Sequence, residues 1–314
     1  MRLEEAIAMK LGCAVGTFTH PHYNPPYEKA IDQIAEMGFR GVELIAFQEE
    51  DLNEYYTAER IRNLRQRMTD ANLELSEFIL YHGLVDGLMS AEEKPRRNSI
   101  DAFARGLEIA GELGTRIVNM VSGWPPQFNA PVPYLPAYTH PYIPGIDLFE
   151  PVIQIELPRN FRAEDLWNRY LDSLAVLVDL AERSDMYLAL EGHANVLVGT
   201  TDAMMRAFDR IPSIHFGTNF DTSWQFLQRE YLPWSVYKLE KRILHVHLRD
   251  GDGLLCYTLP PGRGVIDWNG FVRSLKEVGF DGFLSFELGG YRRPVKYVGE
   301  AKVYMERILE EEGI

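Results

Sequence analysis

The feature that most constrains this 314-residue chain is an alternation: short apolar, β-rich runs recur along it, each followed by a longer amphipathic stretch. That rhythm calls for parallel strands joined by crossover helices, because a parallel neighbour needs a connection long enough to travel back along the sheet. The strand runs are "KLGCAVGTF", "GVELIAF", "LELSEFIL", "TRIVNMV", "MYLAL", "IHFGTNF", "ILHVHL" and "GFLSFEL". Between them, 95–113 spaces Ile100, Phe103, Leu107 and Ile109 for burial on one helical face. The stretch 163–184 does the same with Leu166, Tyr170, Leu174, Leu177 and Ala181. Eight strands alternating with eight helices is the count of a closed (β/α)8 TIM barrel, an α/β fold of which residues 1–314 would form one domain. A doubly wound open sheet is the alternative, but no glycine-rich phosphate loop follows the first strand.

The rhythm breaks after the fourth strand. Residues 122–161 carry prolines at 125, 126, 131, 133, 136, 141, 144, 151 and 158, a density that forbids regular helix. The same stretch holds Trp124, Phe128, Tyr134, Tyr138, Tyr142 and Phe149, too many aromatics for a disordered linker. We expect an ordered insertion or lid over the barrel top. The competing reading is a packing loop that covers barrel helices or meets another subunit.

Composition narrows the partners. With 32 Lys+Arg against 46 Asp+Glu the net charge is −14, which argues against nucleic acid. The two cysteines, Cys13 and Cys256, offer neither a disulfide framework nor a thiolate cage. No apolar run approaches the roughly 20 residues that span a bilayer, and no secretory leader is visible, so the expectation is a cytoplasmic protein that does not enter membranes.

In a barrel of this kind the active site lies at the C-terminal ends of the strands. Four consecutive strands end in a potential metal ligand: Glu191 on the fifth, Asp221 on the sixth, His247 on the seventh and Glu287 on the eighth. Each alone is as well explained as an ordinary strand-to-loop transition, but four at matching positions are not. Three carboxylates and an imidazole, without a thiolate, suit Mn2+ first, with Mg2+ or Co2+ as alternatives. Without a cation, the grouped carboxylates would repel one another.

The chain resembles the xylose isomerase-like superfamily of TIM barrels, in its sugar isomerase and epimerase branch. The resemblance rests on "GFRGVEL", "LALEGH", "NFDTSW", "ILHVHLRD" and "PPGRGVIDWNGFVRSLKEVGFDGFLSFEL". It implies that Glu191, Asp221, His247 and Glu287 bind one divalent metal, with the two glutamates flanking the substrate. His247, nearer the strand end, is the ligand, and His245, two residues lower, should sit inside the barrel. The expected chemistry is isomerisation or epimerisation of a carbohydrate. A proton next to a carbonyl is abstracted, the enediolate is stabilised by the metal, and Glu191 and Glu287 are the acid and base.

Two positions depart from the ketose 3-epimerases of that family. Trp224 stands where they have a histidine three residues after the strand-six aspartate, and Gly253 stands where they have a substrate-binding arginine. A second activity is therefore kept: β-elimination on 3-keto-glycosides, as in the catalytic subunits of C-glycoside deglycosidases. The aromatic insertion would suit an aryl aglycone, with His140 as acid or base, though a loop histidine satisfied by backbone is the preferred reading of His140. His82, Trp124, His193, Trp224 and Arg263 are candidate substrate contacts, Arg263 alternatively pairing with an acidic neighbour. The implied partner is a small carbohydrate or glycoside, in a homo-oligomer, with a small second subunit if the protein is a deglycosidase. An endonuclease-like barrel fits poorly with the charge and the single strand-end histidine, and a non-catalytic sugar-binding barrel is the remaining class.

Overall fold

The computed structural model describes residues 9–19, 23–125, 157, 159–253 and 258–314. Most of the insertion at 122–161, with His140, lies outside the described residues, as does Cys256.

Eight parallel strands close into a barrel in chain order. They are β1 (Lys10–Ala14), β2 (Gly41–Ala46), β3 (Glu74–Leu80), β4 (Ile117–Val121), β5 (Tyr187–Glu191), β6 (Phe216–Asp221), β7 (Ile243–Leu248) and β8 (Phe283–Phe286). The closing seam pairs Lys10 with Phe283 and continues to Cys13 opposite Phe286. The expected barrel is the observed one.

Helices cover the outside with the apolar stripes their spacing predicts. Glu93–Leu113 buries Phe103, Leu107 and Ile109 and stops at Gly114, whose φ of 105° suits a residue without a side chain. Pro95 falls in its first turn, where a missing N–H costs nothing. Ala163–Arg183 buries Leu166, Tyr170, Leu174, Leu177 and Ala181. Each fully buried Leu, Ile or Phe of this shell contributes about 1.5–3 kcal/mol.

Strand boundaries shift by a residue or more from the sequence-based expectation, and two of the shifts lie near the candidate site. The first strand ends at Ala14, and Gly16–Thr19 turns into helix. The Thr17 hydroxyl holds this turn against the opposite edge, donating to the Phe286 carbonyl and accepting from Leu288 N–H. Glu287 falls one residue beyond β8.

Inside the barrel, two irregularities decide which side chains point inward. Val42 pairs with Leu75 but Glu43 pairs with Glu77, so Ser76 is an extra residue in β3. Thr218 pairs with Ile243 but Asn219 with His245, which makes Leu244 the extra residue in β7. Such bulges re-aim every side chain that follows them. Gly217 makes room for the second bulge: a Cβ there would lie 2.5 Å from Leu244 Cγ and 2.4 Å from the Arg242 carbonyl oxygen. The barrel interior is consequently polar, with Glu43, Glu77, Asn119, Glu191, Asn219, Asp221, His245, His247 and Ser285 all buried.

Candidate active site

Glu191 ends β5, Asp221 ends β6, His247 is the next-to-last residue of β7, and Glu287 follows β8. One ligand atom from each lies within 4.8 Å of the others. His247 Nδ1 is 3.4 Å from Glu191 Oε2, 3.8 Å from Asp221 Oδ2 and 3.2 Å from Glu287 Oε2. Charge-assisted hydrogen bonds are shorter, about 2.7–2.9 Å. Ligands sharing one divalent ion at about 2.0–2.2 Å stand roughly 3 Å or a little more apart. Glu287 Oε2 is buried without a hydrogen-bond partner among the described residues, so a donor atom is left for an ion. Three carboxylates and one imidazole fit a hard or borderline divalent cation.

Neighbouring groups aim these ligands. Glu191 Oε2 accepts from the amides of Asn219 at 2.9 Å and Asn119 at 3.2 Å, while its Oε1 lies 2.8 Å from His193 Nε2. Asp221 caps the helix Thr222–Leu227, and its Oδ1 takes Ser223 N–H, Ser223 O–H and Trp224 N–H, all at 2.9 Å. Only Oδ2 remains, and Arg249 Nε donates to it at 2.9 Å.

The electrostatics follow from burial opposed by pairing. Burial alone would push Glu191 up, but His247 and His193 outweigh it and hold the carboxyl well below the usual range. For Glu287, Arg249 and His247 likewise outweigh burial and lower it. Burial opposes charge on His247, yet Glu43, Glu191 and Glu287 hold it well above the ordinary imidazole value. Beneath this group lies a second one, Glu43, Glu77 and His245, which meets His247 from the other side. Burial, helped by Glu43, pushes Glu77 up to about 8, and burial depresses His245 well below its usual value.

A cavity of about 240 Å³ opens above the ligands. His82, Trp124, His193 and Trp224, four of the residues expected to meet substrate, line it together with Glu191, His247 and Glu287. Their rings form a continuous wall: Tyr81 to His82 at 4.2 Å, His82 to Trp124 at 5.1 Å, Trp124 to His193 at 5.8 Å and His193 to Trp224 at 4.5 Å. Arg263 is not brought there. It lies on the surface, its side chain 59% exposed and paired with Glu300 at 2.6 Å.

Sequence reasoning missed Arg249, Glu43, Glu77, Asn119 and Asn219. Its usable signal was a carboxylate within an otherwise apolar strand, between Val42 and Leu44 in "VEL" and before Phe78 in "SEF". Arg249 supplies a guanidinium 5.5 Å from the Trp224 ring, four positions before the Gly253 that replaces the arginine of 3-epimerases.

Residues 31–308 match the family model described as the xylose isomerase-like TIM barrel. A fructoselysine 3-epimerase of Escherichia coli O157:H7 is 22% identical over 300 residues, 94% of this chain and 95% of the relative. An uncharacterized protein of Methanocaldococcus jannaschii is 25% identical over 287 residues, 90% of this chain and 85% of its own. Among solved structures, D-psicose 3-epimerase from Clostridium cellulolyticum H10 superposes with a TM-score of 0.74 at 16% identity, covering 96% of this chain and 99% of its own. The 3-keto-D-glucoside 4-epimerase of E. coli gives 0.71 at 17% identity, covering 95% and 99%. Named relatives and structural neighbours are thus sugar epimerases, and the chain belongs to the xylose isomerase-like TIM barrel family.

Proposed function

We propose that this protein is a divalent-metal-dependent carbohydrate epimerase or isomerase that moves a proton next to a carbonyl. The observation that carries the reading is the placement of Glu191 and Glu287. They reach one cavity from β5 and from the end of β8, and each lies against His247 Nδ1. Glu191, Asp221, His247 and Glu287 would hold the ion, for which Mn2+ is the first choice and Mg2+ or Co2+ the alternatives. When bound, the ion would polarise a sugar carbonyl and the adjacent hydroxyl and acidify the proton between them.

The protein's own groups do the rest. Glu191 is kept ionised by His193 and His247, so it is ready to accept a proton at neutral pH. Glu287 stands ready to return one from a different direction. Trp124 and Trp224 line the cavity and would pack against the apolar side of a sugar, and His82 and His193 would offer ring nitrogens to its hydroxyls. The relatives and structural neighbours include a fructoselysine 3-epimerase, a D-psicose 3-epimerase and a 3-keto-D-glucoside 4-epimerase, which supports a ketose, a ketose conjugate or a keto-glycoside as the substrate class.

The aromatic wall favours a second reading, β-elimination from a 3-keto-glycoside, because it extends from Tyr81 to Trp224 around the ligands. Assays with Mn2+ on free ketoses, ketose amines and 3-keto-glycosides separate the two. Epimerised or isomerised product supports the first reading. Release of an aglycone with no epimer from any substrate overturns it.

A further inference from the structure

The mechanism above uses one nitrogen of His247. The other points downward, into a part of the barrel no proposed step requires. Nε2 lies 3.1 Å from Glu77 Oε1, within hydrogen-bond geometry, and 3.2 Å from Glu43 Oε2. Glu43 accepts from His245 Nε2 at 2.7 Å through its Oε1, and its Oε2 has no hydrogen-bond partner among the described residues. The amide nitrogen of Asn219 is 3.1 Å from both ring nitrogens of His247, which puts it over the ring face and leaves the Nδ1 lone pair clear.

The inward aim of these residues is built into the backbone. The β3 bulge at Ser76 turns Glu77 to the level of Glu43, and the β7 bulge at Leu244 turns His245 and His247 toward Asn219 and Asp221. In register, a regular β3 would put the Ser76 hydroxyl beside Glu43 and direct Glu77 away from the barrel axis. Glu77 is fully buried, and its Oε2 has no hydrogen-bond partner among the described residues. A buried carboxyl of this kind is costly unless the contacts of its Oε1, with His247 Nε2 and with the Asn219 amide at 3.4 Å, matter.

We infer that Glu77 is a positioning residue for the metal site: its Oε1 accepts the Nε2–H of His247, so that the Nδ1 lone pair faces Glu191, Asp221 and Glu287. Imidazole carries its single neutral proton on one nitrogen, and the acceptor beneath the ring selects which one. The bulge in β3 thus sets the donor of a ligand on β7, on the far side of the barrel. The inference rests on the proposed metal site and deepens it.

The test is Mn2+ affinity of the full chain, measured by chelator competition, for the wild type, Glu77→Gln and Glu77→Leu. Glu77→Gln keeps an acceptor oxygen at the same place and should bind within about threefold of wild type. Glu77→Leu should bind about 10–100-fold more weakly, the usual effect of removing the partner of a ligating histidine. Circular dichroism with excess chelator shows whether each variant is folded. If Glu77→Leu does not fold, the shorter Glu77→Ser serves with the same expected loss. Undiminished affinity in folded Glu77→Leu or Glu77→Ser overturns the inference, as does a second tightly bound Mn2+ per chain that disappears in Glu77→Gln, because Nε2 would then bind an ion. A wild type that binds no divalent ion overturns the metal site itself, a separate outcome.

Discussion

Arg249 donates from Nε at 2.9 Å to Asp221 Oδ2, the one oxygen of that carboxylate not already committed to capping a helix. A built-in cation thus shares the Asp221 oxygen that a metal would also use. Its guanidinium is also 3.3 Å from Glu287 Oε2 and 4.0 Å from Glu191 Oε1. It offsets the mutual repulsion of these three grouped carboxylates whenever no ion does.

Removing that cation should therefore matter most in metal-free protein. Arg249→Gln is expected to cost about 3–5 kcal/mol in chelator-treated samples, the usual penalty for leaving buried charge unpaired. Saturating Mn2+ should recover much of it. Urea unfolding with and without the ion checks this, and an equal cost in both conditions would count against the shared role.

Binding should also stabilise the wild type. At a free ion concentration of about 100 times Kd, one site on the folded state adds about 2.7 kcal/mol. The rise in thermal midpoint should vanish in Asp221→Asn combined with Glu287→Gln. A rise that persists in the double variant would place the ion elsewhere.

The carboxyl of Glu77 gives the metal-free protein a pH signature. Burial raises its folded-state pKa from the ordinary 4.5 to about 8. Between those values the folded state holds a proton that the unfolded state has released, so unfolding free energy falls as pH rises through this window and levels off above it. Glu77→Gln removes this contribution, and the stability difference between variant and wild type should grow in the variant's favour from pH 5 to pH 8. A difference that does not change with pH would mean the carboxyl is already ionised throughout.

The aromatic wall should act on binding more than on chemistry. Trp124→Ala is expected to raise KM about tenfold with a smaller change in kcat, because a ring lining the cavity would contact substrate equally before and during reaction. Steady-state kinetics on the active substrate decide it. A loss confined to kcat would instead give Trp124 a part in the proton transfer.

Much of this was legible in the sequence because it is periodic. The barrel follows from eight repeats of one pattern, and Glu191, Asp221, His247 and Glu287 follow from the rule that such barrels work at their strand ends. What lay deeper was not legible. Glu43 and Glu77 sit in mid-strand, and only the register shift at Ser76 brings them to one level facing His247. A bulge leaves no mark in composition, since Ser76 and Leu244 are unremarkable strand residues. Arg249 was hidden differently: an arginine following a strand reads as surface, and only the fold shows it buried against Asp221. Arg263 stood in a promising loop, yet its chain direction carries it outward to Glu300.

The central claim is proton transfer next to a carbonyl by Glu191 and Glu287 in a divalent-metal site. The most direct measurement is solvent deuterium incorporation into a ketose or keto-glycoside, followed by NMR with Mn2+-loaded protein that is then freed of the ion for recording. Deuterium is expected at the carbon next to the carbonyl, lost on chelation and reduced about 10²–10⁴-fold in Glu191→Gln. Incorporation that survives both chelation and Glu191→Gln would contradict it, as would its absence across all three substrate classes with metal bound.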